Sequence, residues 1–444
     1  MNLFQRIRWL APILKNCSWD TTVIFLIVSA FPSFSDSLQS DTLLLTLGQA
    51  EKIFLEKNLQ ALAQKCAVDA TRAQILQSRV WENPAITVNQ NVFNTESATN
   101  GAPKWFPVSE NGETSVQIQQ LFTMAGKRNK RISMAKLSAE KTEFLFYDLL
   151  RTLKFQLRTD FYKIYFTQTT LCVYALEIAS IKKLVGAFDE QYQNGHVSKK
   201  DLLRLKASLF SLENEKLALD TQLIDAQSDF SQLLRLNGIC PKVTVDEASL
   251  DSIKFGAFPL QNLIDTALCS RFDLKAAQAD VAYNRQNVAF QKALAIPDLQ
   301  AIAGWDKNGS YVHNYNYVGI QVNVPIFDRN QGSIKSALSS LQSSEFTCQN
   351  VQNQVVSDVS SAYYKAAQTD SLYKGLDKNF FTDFSTMREE VLKNYEKRNI
   401  SLLEFLDFYD AFKQNAVQYY TLLNGRINAF EGINFSVGKN MINW

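Results

Sequence analysis

The chain has 444 residues, with 46 Lys+Arg against 44 Asp+Glu and 46% hydrophobic residues. A formal net charge of +2 leaves no bulk charge to drive binding to nucleic acid. No apolar run reaches the ~18–20 residues a helix needs to cross a bilayer, so a multi-span helical membrane protein is excluded.

Arg6, Arg8 and Lys15 precede an apolar stretch at residues 21–31, which is too short to span a bilayer as a helix. Small residues follow it, with cleavage expected after Ala30 or Ser35. Residues 1–35 read as an export signal; a buried helix of a cytosolic protein is the alternative. Cys17 makes no lipoprotein box, because Lys15 and Asn16 stand where small residues are needed. The six cysteines, at 17, 66, 172, 240, 269 and 348, form no CxxC pair and read as small hydrophobes.

Residues 47–84 align with 260–297 without a gap, matching Leu47/Leu260, Leu55/Leu268, Ala63/Ala276, Val68/Val281, Arg72/Arg285 and Pro84/Pro297. After each proline come alternating residues. Ile86, Val88 and Val92 alternate with Thr87, Asn89 and Asn91; Val116 and Ile118 with Ser115, Gln117 and Gln119. In the second half Val318, Ile320, Val322 and Val324 alternate with Gly319, Gln321 and Asn323. This period of two predicts strands at about 84–93 and 113–122, and at about 297–306 and 315–325. Trp305, Tyr311, Tyr315 and Tyr317 stand near the second hairpin's loop and are expected as an interfacial aromatic girdle.

No proline falls between Pro107 and Pro241 or after Pro325, so long helices are permitted there. One seven-residue rhythm starts at Leu150 and passes through Leu157, Ile164, Leu171, Ile178 and Val185. A second starts at Leu202 and passes through Leu209, Lys216, Leu223 and Phe230, with Lys216 its polar exception. Rhythm held over this many heptads predicts coiled-coil packing, and a helix over residues 127–194 would reach about 100 Å. Residues 191–198 read as a helix–helix elbow, with Gly195 ending one helix and Ser198 capping the next. Residues 394–401 repeat the elbow through Tyr192/Tyr395 and Ser198/Ser401, with Arg398 in place of Gly195. The fold class is therefore mainly α with a small β part: two tandem helix–hairpin–helix repeats at 43–238 and 259–438, joined by a linker at 239–258.

Two strands per repeat make four, and open strand edges cannot face lipid. The smallest closed barrels need about 8 strands, so hairpins that enter a membrane force the chain to associate. Small soluble hairpins capping a coiled coil are the alternative.

Two segments carry a resemblance. Leu45-Thr46-Leu47-Gly48-Gln49-Ala50 with Asn83-Pro84-Ala85 resembles the opening of TolC-type outer-membrane efflux proteins. Val324-Pro325-Ile326-Phe327-Asp328-Arg329-Asn330-Gln331-Gly332 closely resembles the strand-to-helix junction of the CzcC-like branch, with Pro325, Phe327 and Gly332 as its markers. The resemblance implies a homotrimer whose twelve-stranded barrel sits in outer-membrane lipid and whose helical tunnel crosses the periplasm. It also implies a periplasmic adaptor protein and an inner-membrane pump of the resistance–nodulation–division or ABC type. It implies no cofactor, no nucleic acid and no catalysis; no HExxH, GxSxG, Walker A or GxGxxG motif is present. A soluble coiled-coil scaffold, or the outer-membrane component of a type I secretion system, are the alternatives. The exported cargo (metal cation, drug or peptide) stays open.

By the same resemblance the tunnel entrance follows the second elbow. Glu404 and Asp407, three residues apart on one helix face, are expected to constrict it, as six carboxylates in a trimer. Tyr395 and Asp201 resemble the partners that hold the entrance shut. Ile400 stands where the best-known member has a basic residue, which leaves Arg398 or Arg204 to substitute. His196 and His313 are far apart in sequence, and His196 reads as an exposed elbow residue rather than a metal ligand.

Overall fold

The computed structural model describes residues 42–90, 92–94, 104–105, 113–236, 240–246, 259–307, 311–376, 380–397 and 399–442. The export signal expected at 1–35 lies outside them, as does Arg398. Strand β1 (Thr42–Leu45) leads into helices α1 (Leu47–Lys57) and α2 (Leu59–Arg79). Strand β2 (Ala85–Gln90), a short pair β3 (Phe93–Asn94) and β4 (Lys104–Trp105), and β5 (Thr114–Phe122) follow. Helices α3 (Lys127–Gln193) and α4 (Lys199–Leu234) then lead to β6 (Cys240–Val243). The second half runs α5 (Leu260–Ser270), α6 (Phe272–Leu294), β7 (Leu299–Asp306) and β8 (Tyr315–Val322). It closes with α7 (Gln331–Gly375), α8 (Phe380–Glu396) and α9 (Leu402–Val437).

Three features depart from the sequence reading. β2 stops at Gln90, and Phe93 and Asn94 pair with Trp105 and Lys104 instead of extending it. The segment read as a linker holds β6, which pairs in parallel with β1 from Thr42↔Cys240 to Leu45↔Val243. Four residues containing Pro241 carry no period that would mark a strand. The long helix after Pro325 breaks at Leu376, whose extended backbone (φ −74°, ψ 138°) ends α7.

Helix α3 has 67 residues and so runs about 100 Å. Its heptad positions Leu153, Leu157, Ile164, Tyr174, Ile178 and Ile181 are buried, as are Leu202, Leu205, Leu212, Ala226, Phe230 and Leu233 of α4. The core is divided along this length. One cluster gathers Phe54, Leu157, Phe161, Phe230 and Val243, so the β1–β6 pair seals the first repeat. A second gathers Leu263, Leu274, Val355, Phe430 and Val437 from the second repeat. A third, near the elbows, gathers Ile178, Ile181, Leu205, Phe405 and Tyr409.

The four long strands form one antiparallel sheet in the order β2-β5-β7-β8. The helices joined to them pack in the same lateral order, α2 on α3, α3 on α6 and α6 on α7. Strand and helix layers thus continue one another as a single wall. Nearer the elbows α4 lies beside α3, α3 beside α9, and α9 beside α7 and α8.

The register divides the sheet into two chemically distinct faces. Opposed pairs Ile86↔Ile118, Val88↔Val116, Ile118↔Ala303, Ala303↔Val318 and Ala301↔Ile320 share one face. Thr87↔Gln117, Gln117↔Gly304, Gln300↔Gln321 and Gly304↔Tyr317 share the other. The apolar face is bare, with Ile86 67%, Val318 87% and Ile320 75% exposed. Trp305 belongs to it, opposite Val116. Tyr315 and Tyr317 do not: they stack on the polar face at 5.8 Å, so three of the four aromatics expected as one girdle are split between faces, and Tyr311 lies outside the strands. Tyr317 lies across β7 and donates its phenol hydrogen to Gln117 Oε1 at 3.1 Å. A Cβ on Gly304 would run into the Tyr317 ring where it now lies, so a larger residue there would displace the tyrosine.

The strand-to-helix junctions are built from local hydrogen bonds. Before α3, Gly126 takes a left-handed conformation (φ 67°). Buried Lys127 then reaches back to Ile296 O (2.7 Å) and Asp298 (2.8 Å), tying the first repeat to the second. Before α7, Asn330 takes the same conformation (φ 59°) and donates to Gln291 O at 2.8 Å. Its own N–H bonds the Asp328 carboxylate, and the Arg329 N–H bonds the Gln331 side chain. This accounts for Asp328, Asn330 and Gln331 in the junction motif. Of its three markers, Phe327 is 90% exposed, Pro325 borders a small cavity with Lys127 and Asp298, and Gly332 has open space around its Cα.

Candidate functional site

The elbows lie at one end of the long helices, remote in the chain from the sheet. At the first, α3 ends where Gly195 adopts φ +76° and the His196 N–H reaches back to Gln191 O. Ser198 then caps α4 by accepting from the Asp201 N–H, and its hydroxyl donates to the Asp201 carboxylate at 2.7 Å. At the second, Ser401 caps α9 in a reciprocal box. The Glu404 N–H bonds Ser401 Oγ at 3.3 Å, and the Ser401 N–H bonds the Glu404 carboxylate at 2.8 Å. That backbone N–H, with the Ser401 hydroxyl, holds Glu404 below the ordinary carboxylate range.

Glu404 and Asp407 are both exposed, so they are available to solvent as the sequence reading requires. Glu404 has a second occupation, as the capping residue of its own helix. Tyr395 stacks on buried Phe405 at 4.6 Å and lies nearly parallel to Phe188 at 6.2 Å. Burial and the nearby Asp201 charge push its phenol up to about 12. Tyr395 and Asp201 thus come together from opposite hairpins. They line a cavity of about 750 Å³ with Ser180, Lys183, His196 and Ile400. Arg204 is exposed on α4 and does not line that cavity.

About three helical turns further along the bundle sits a cluster that sequence reasoning missed. Glu177 of α3 is buried, and Lys413 of α9 donates to Glu215 of α4 (2.9 Å) and to Asp410 (2.8 Å). The Tyr174 phenol donates to the same Glu215 at 2.9 Å and is pushed up to about 12, first by burial and then by that carboxylate. Glu215 itself is held below its ordinary range by Lys413 and Tyr174, which outweigh burial. In the sequence these charges look like the flanks of a coiled coil, so only the packing of three helices brings them together. Among the described residues no three His, Cys, Asp or Glu side chains converge to hold a metal ion, and no helix is long and apolar enough to cross a membrane.

Residues 263–374 match the family model of the outer membrane efflux proteins. The chain is 22% identical over 296 residues to the cobalt-zinc-cadmium resistance protein CzcC of Cupriavidus metallidurans, a match covering 66% of each. Among solved structures it resembles CusC, with a TM-score of 0.72 and 15% identity over 88% of this chain and 92% of that one. It resembles the CmeC outer membrane channel of Campylobacter jejuni with a TM-score of 0.73 and 13% identity, over 88% and 85% of the two chains. The MtrE outer membrane channel of Neisseria gonorrhoeae gives 0.68 and 14%, over 89% of each. Residues 263–374 thus carry the match to the outer membrane efflux proteins, and the chain as a whole shares the fold of these outer membrane channels.

Proposed function

We propose that three copies of the chain form a passive conduit, which receives cargo from an inner-membrane pump through a periplasmic adaptor and releases it outside. The observation that carries the reading is the sheet, with one bare apolar face and unpaired edges on β2 and β8. In lipid those edges need partners, and joining β8 of one copy to β2 of the next closes twelve strands. The helical wall supports the same seam. Leu203, Phe210, Leu217 and Ile224 stand seven residues apart along α4, each 55–69% exposed. On the opposite lateral edge Tyr364 and Leu372 of α7 and Met387 of α8 are exposed in turn. Two apolar rows on opposite edges of one wall suit a closed ring.

The cavity between the two elbow hairpins suits the adaptor's docking, and Tyr395, Asp201, Arg204 and Arg398 are proposed to hold the entrance shut. The likeness to CzcC favours divalent cobalt, zinc and cadmium as cargo. The reading is tested by heating outer-membrane fractions in detergent. Trimers that survive, and that conduct ions in planar bilayers, support it; a soluble monomer overturns it and favours a coiled-coil scaffold.

Glu404 and Asp407 are proposed to form the cation-attracting ring at the entrance. The test must spare the cap, so Glu404→Gln with Asp407→Asn is the suitable pair: glutamine keeps the capping box and loses the charge. The expected result is block by trivalent cations weakened roughly tenfold, equal to about 1.4 kcal/mol. Unchanged block in single-channel recordings would remove both residues from the ring.

A further inference from the structure

Glu177 is 1% exposed, and its Oε1 has no hydrogen-bond partner. It lines a cavity of about 480 Å³ with Glu215, Asp407, Asp410 and Lys413. Charged and titratable groups face it from every helix around it. Tyr174 shares α3, and Glu215 comes from α4. Arg388 comes from α8, and Tyr409, Asp410 and Lys413 come from α9. The Lys413 ammonium is already shared by Glu215 and Asp410, and Arg388 packs on the Phe412 ring at 5.5 Å. A buried carboxylate with an empty acceptor pays a large desolvation penalty and takes up a proton instead. A proton on the carboxyl removes the buried charge and needs no further partner to do so.

We propose that Glu177 is a proton-operated latch: as the neutral acid it lets α8–α9 pack against α3–α4, and separation of the two hairpins ionises it. This deepens the conduit reading, on which its physiological sense rests. The cluster joins all four helices that meet at the entrance and sits beneath Phe405, Tyr409 and Tyr395, the aromatic stack that closes the seam.

The direction of the coupling follows from linkage. Burial pushes the carboxyl from its ordinary 4.5 up to about 8; Lys413 and Arg388 pull it down, and Asp410 and Glu215 push it up. Once the hairpins part, water restores the ordinary value. Between these two values the packed form carries one more proton than the open form. Raising pH through that window therefore favours opening by up to about tenfold per pH unit in each protomer. Below the window both forms are protonated and above it both are ionised, so pH has no further effect through this group.

The test uses the full-length chain in detergent with Lys200→Cys and Lys393→Cys on a background lacking the native cysteines. Pulsed electron resonance between spin labels reads the separation of α4 and α8 from about pH 5 to about pH 9. The wild type is expected to gain a longer-distance population as pH rises, whereas Glu177→Gln stays short throughout. The infrared band of a protonated carboxyl, present at neutral pH in the wild type, should be missing from Glu177→Gln. Glu177→Met, which fills the site without a charge, repeats both readings should the amide fail to fold. A pH response equal in wild type and variants, or a wild type without that band, overturns the latch. Neither measurement reads conductance, so failure of the conduit reading leaves these outcomes intact.

Discussion

Replacing Asp370 with alanine is expected to cost the helical part of the chain about 3–5 kcal/mol, the loss typical when one partner leaves a buried ion pair. Asp370 and Arg426 are both buried, at 2% relative exposure each. Asp370 Oδ1 accepts from Arg426 Nε and Nη2, both at 2.9 Å, and Lys374 reaches Oδ2 at 2.7 Å. The guanidinium also lies over the Tyr373 ring at 4.3 Å and the Phe430 ring at 5.0 Å. Without the carboxylate it stays buried between aromatic faces, having lost both of these hydrogen bonds. Denaturant unfolding followed by helical circular dichroism measures the loss. Asp370→Leu with Arg426→Met is expected to recover much of it, because both charges leave together. A single variant within about 1 kcal/mol of wild type would contradict the prediction.

Phe405→Ala is expected to act on stability and on the entrance together. Phe405 has no exposed surface and lies between Tyr395 at 4.6 Å and Tyr409 at 4.3 Å. Truncating a buried phenylalanine costs about 3–5 kcal/mol, and here the cavity opens inside the contact between α8, α9 and α3. The loss falls on the stack that joins Tyr395 to Phe188, so the entrance should loosen before the rest of the helices unfold. Single-channel recordings are expected to show a larger and steadier conductance than wild type. Phe405→Leu, which keeps most of the volume, should lie between the two. Alanine with wild-type conductance and wild-type stability would show that the stack does not close the entrance.

Much of this structure could be read from residues alone because two periodicities are long and clean. The seven-residue rows from Leu150 and Leu202 became the buried seams of α3 and α4. The alternation at residues 85–90, 114–122 and 315–322 became strands with one apolar face. What stayed hidden depends on distant partners. β6 is a strand because β1, about two hundred residues earlier, lies beside it. Tyr315 and Tyr317 looked like girdle residues by proximity to Trp305, but pairing with Asp306 and Gly304 sets them on the opposite face. At the entrance the sequence pointed to Glu404 and Asp407 by resemblance and was silent on the cap that engages Glu404. Glu177 carried no signal, since a glutamate beside a heptad position ordinarily faces water.

The two free strand edges also bear on how the protein matures. On the conduit reading, a lone chain in the periplasm has no resting place for its sheet: lipid rejects the unpaired edges, and water rejects the apolar face. Insertion and assembly then become one event, whose rate rises more steeply than linearly with the amount of chain present. Scarce chains should linger as degradable monomers, and a modest rise in synthesis should yield a disproportionate rise in finished channels.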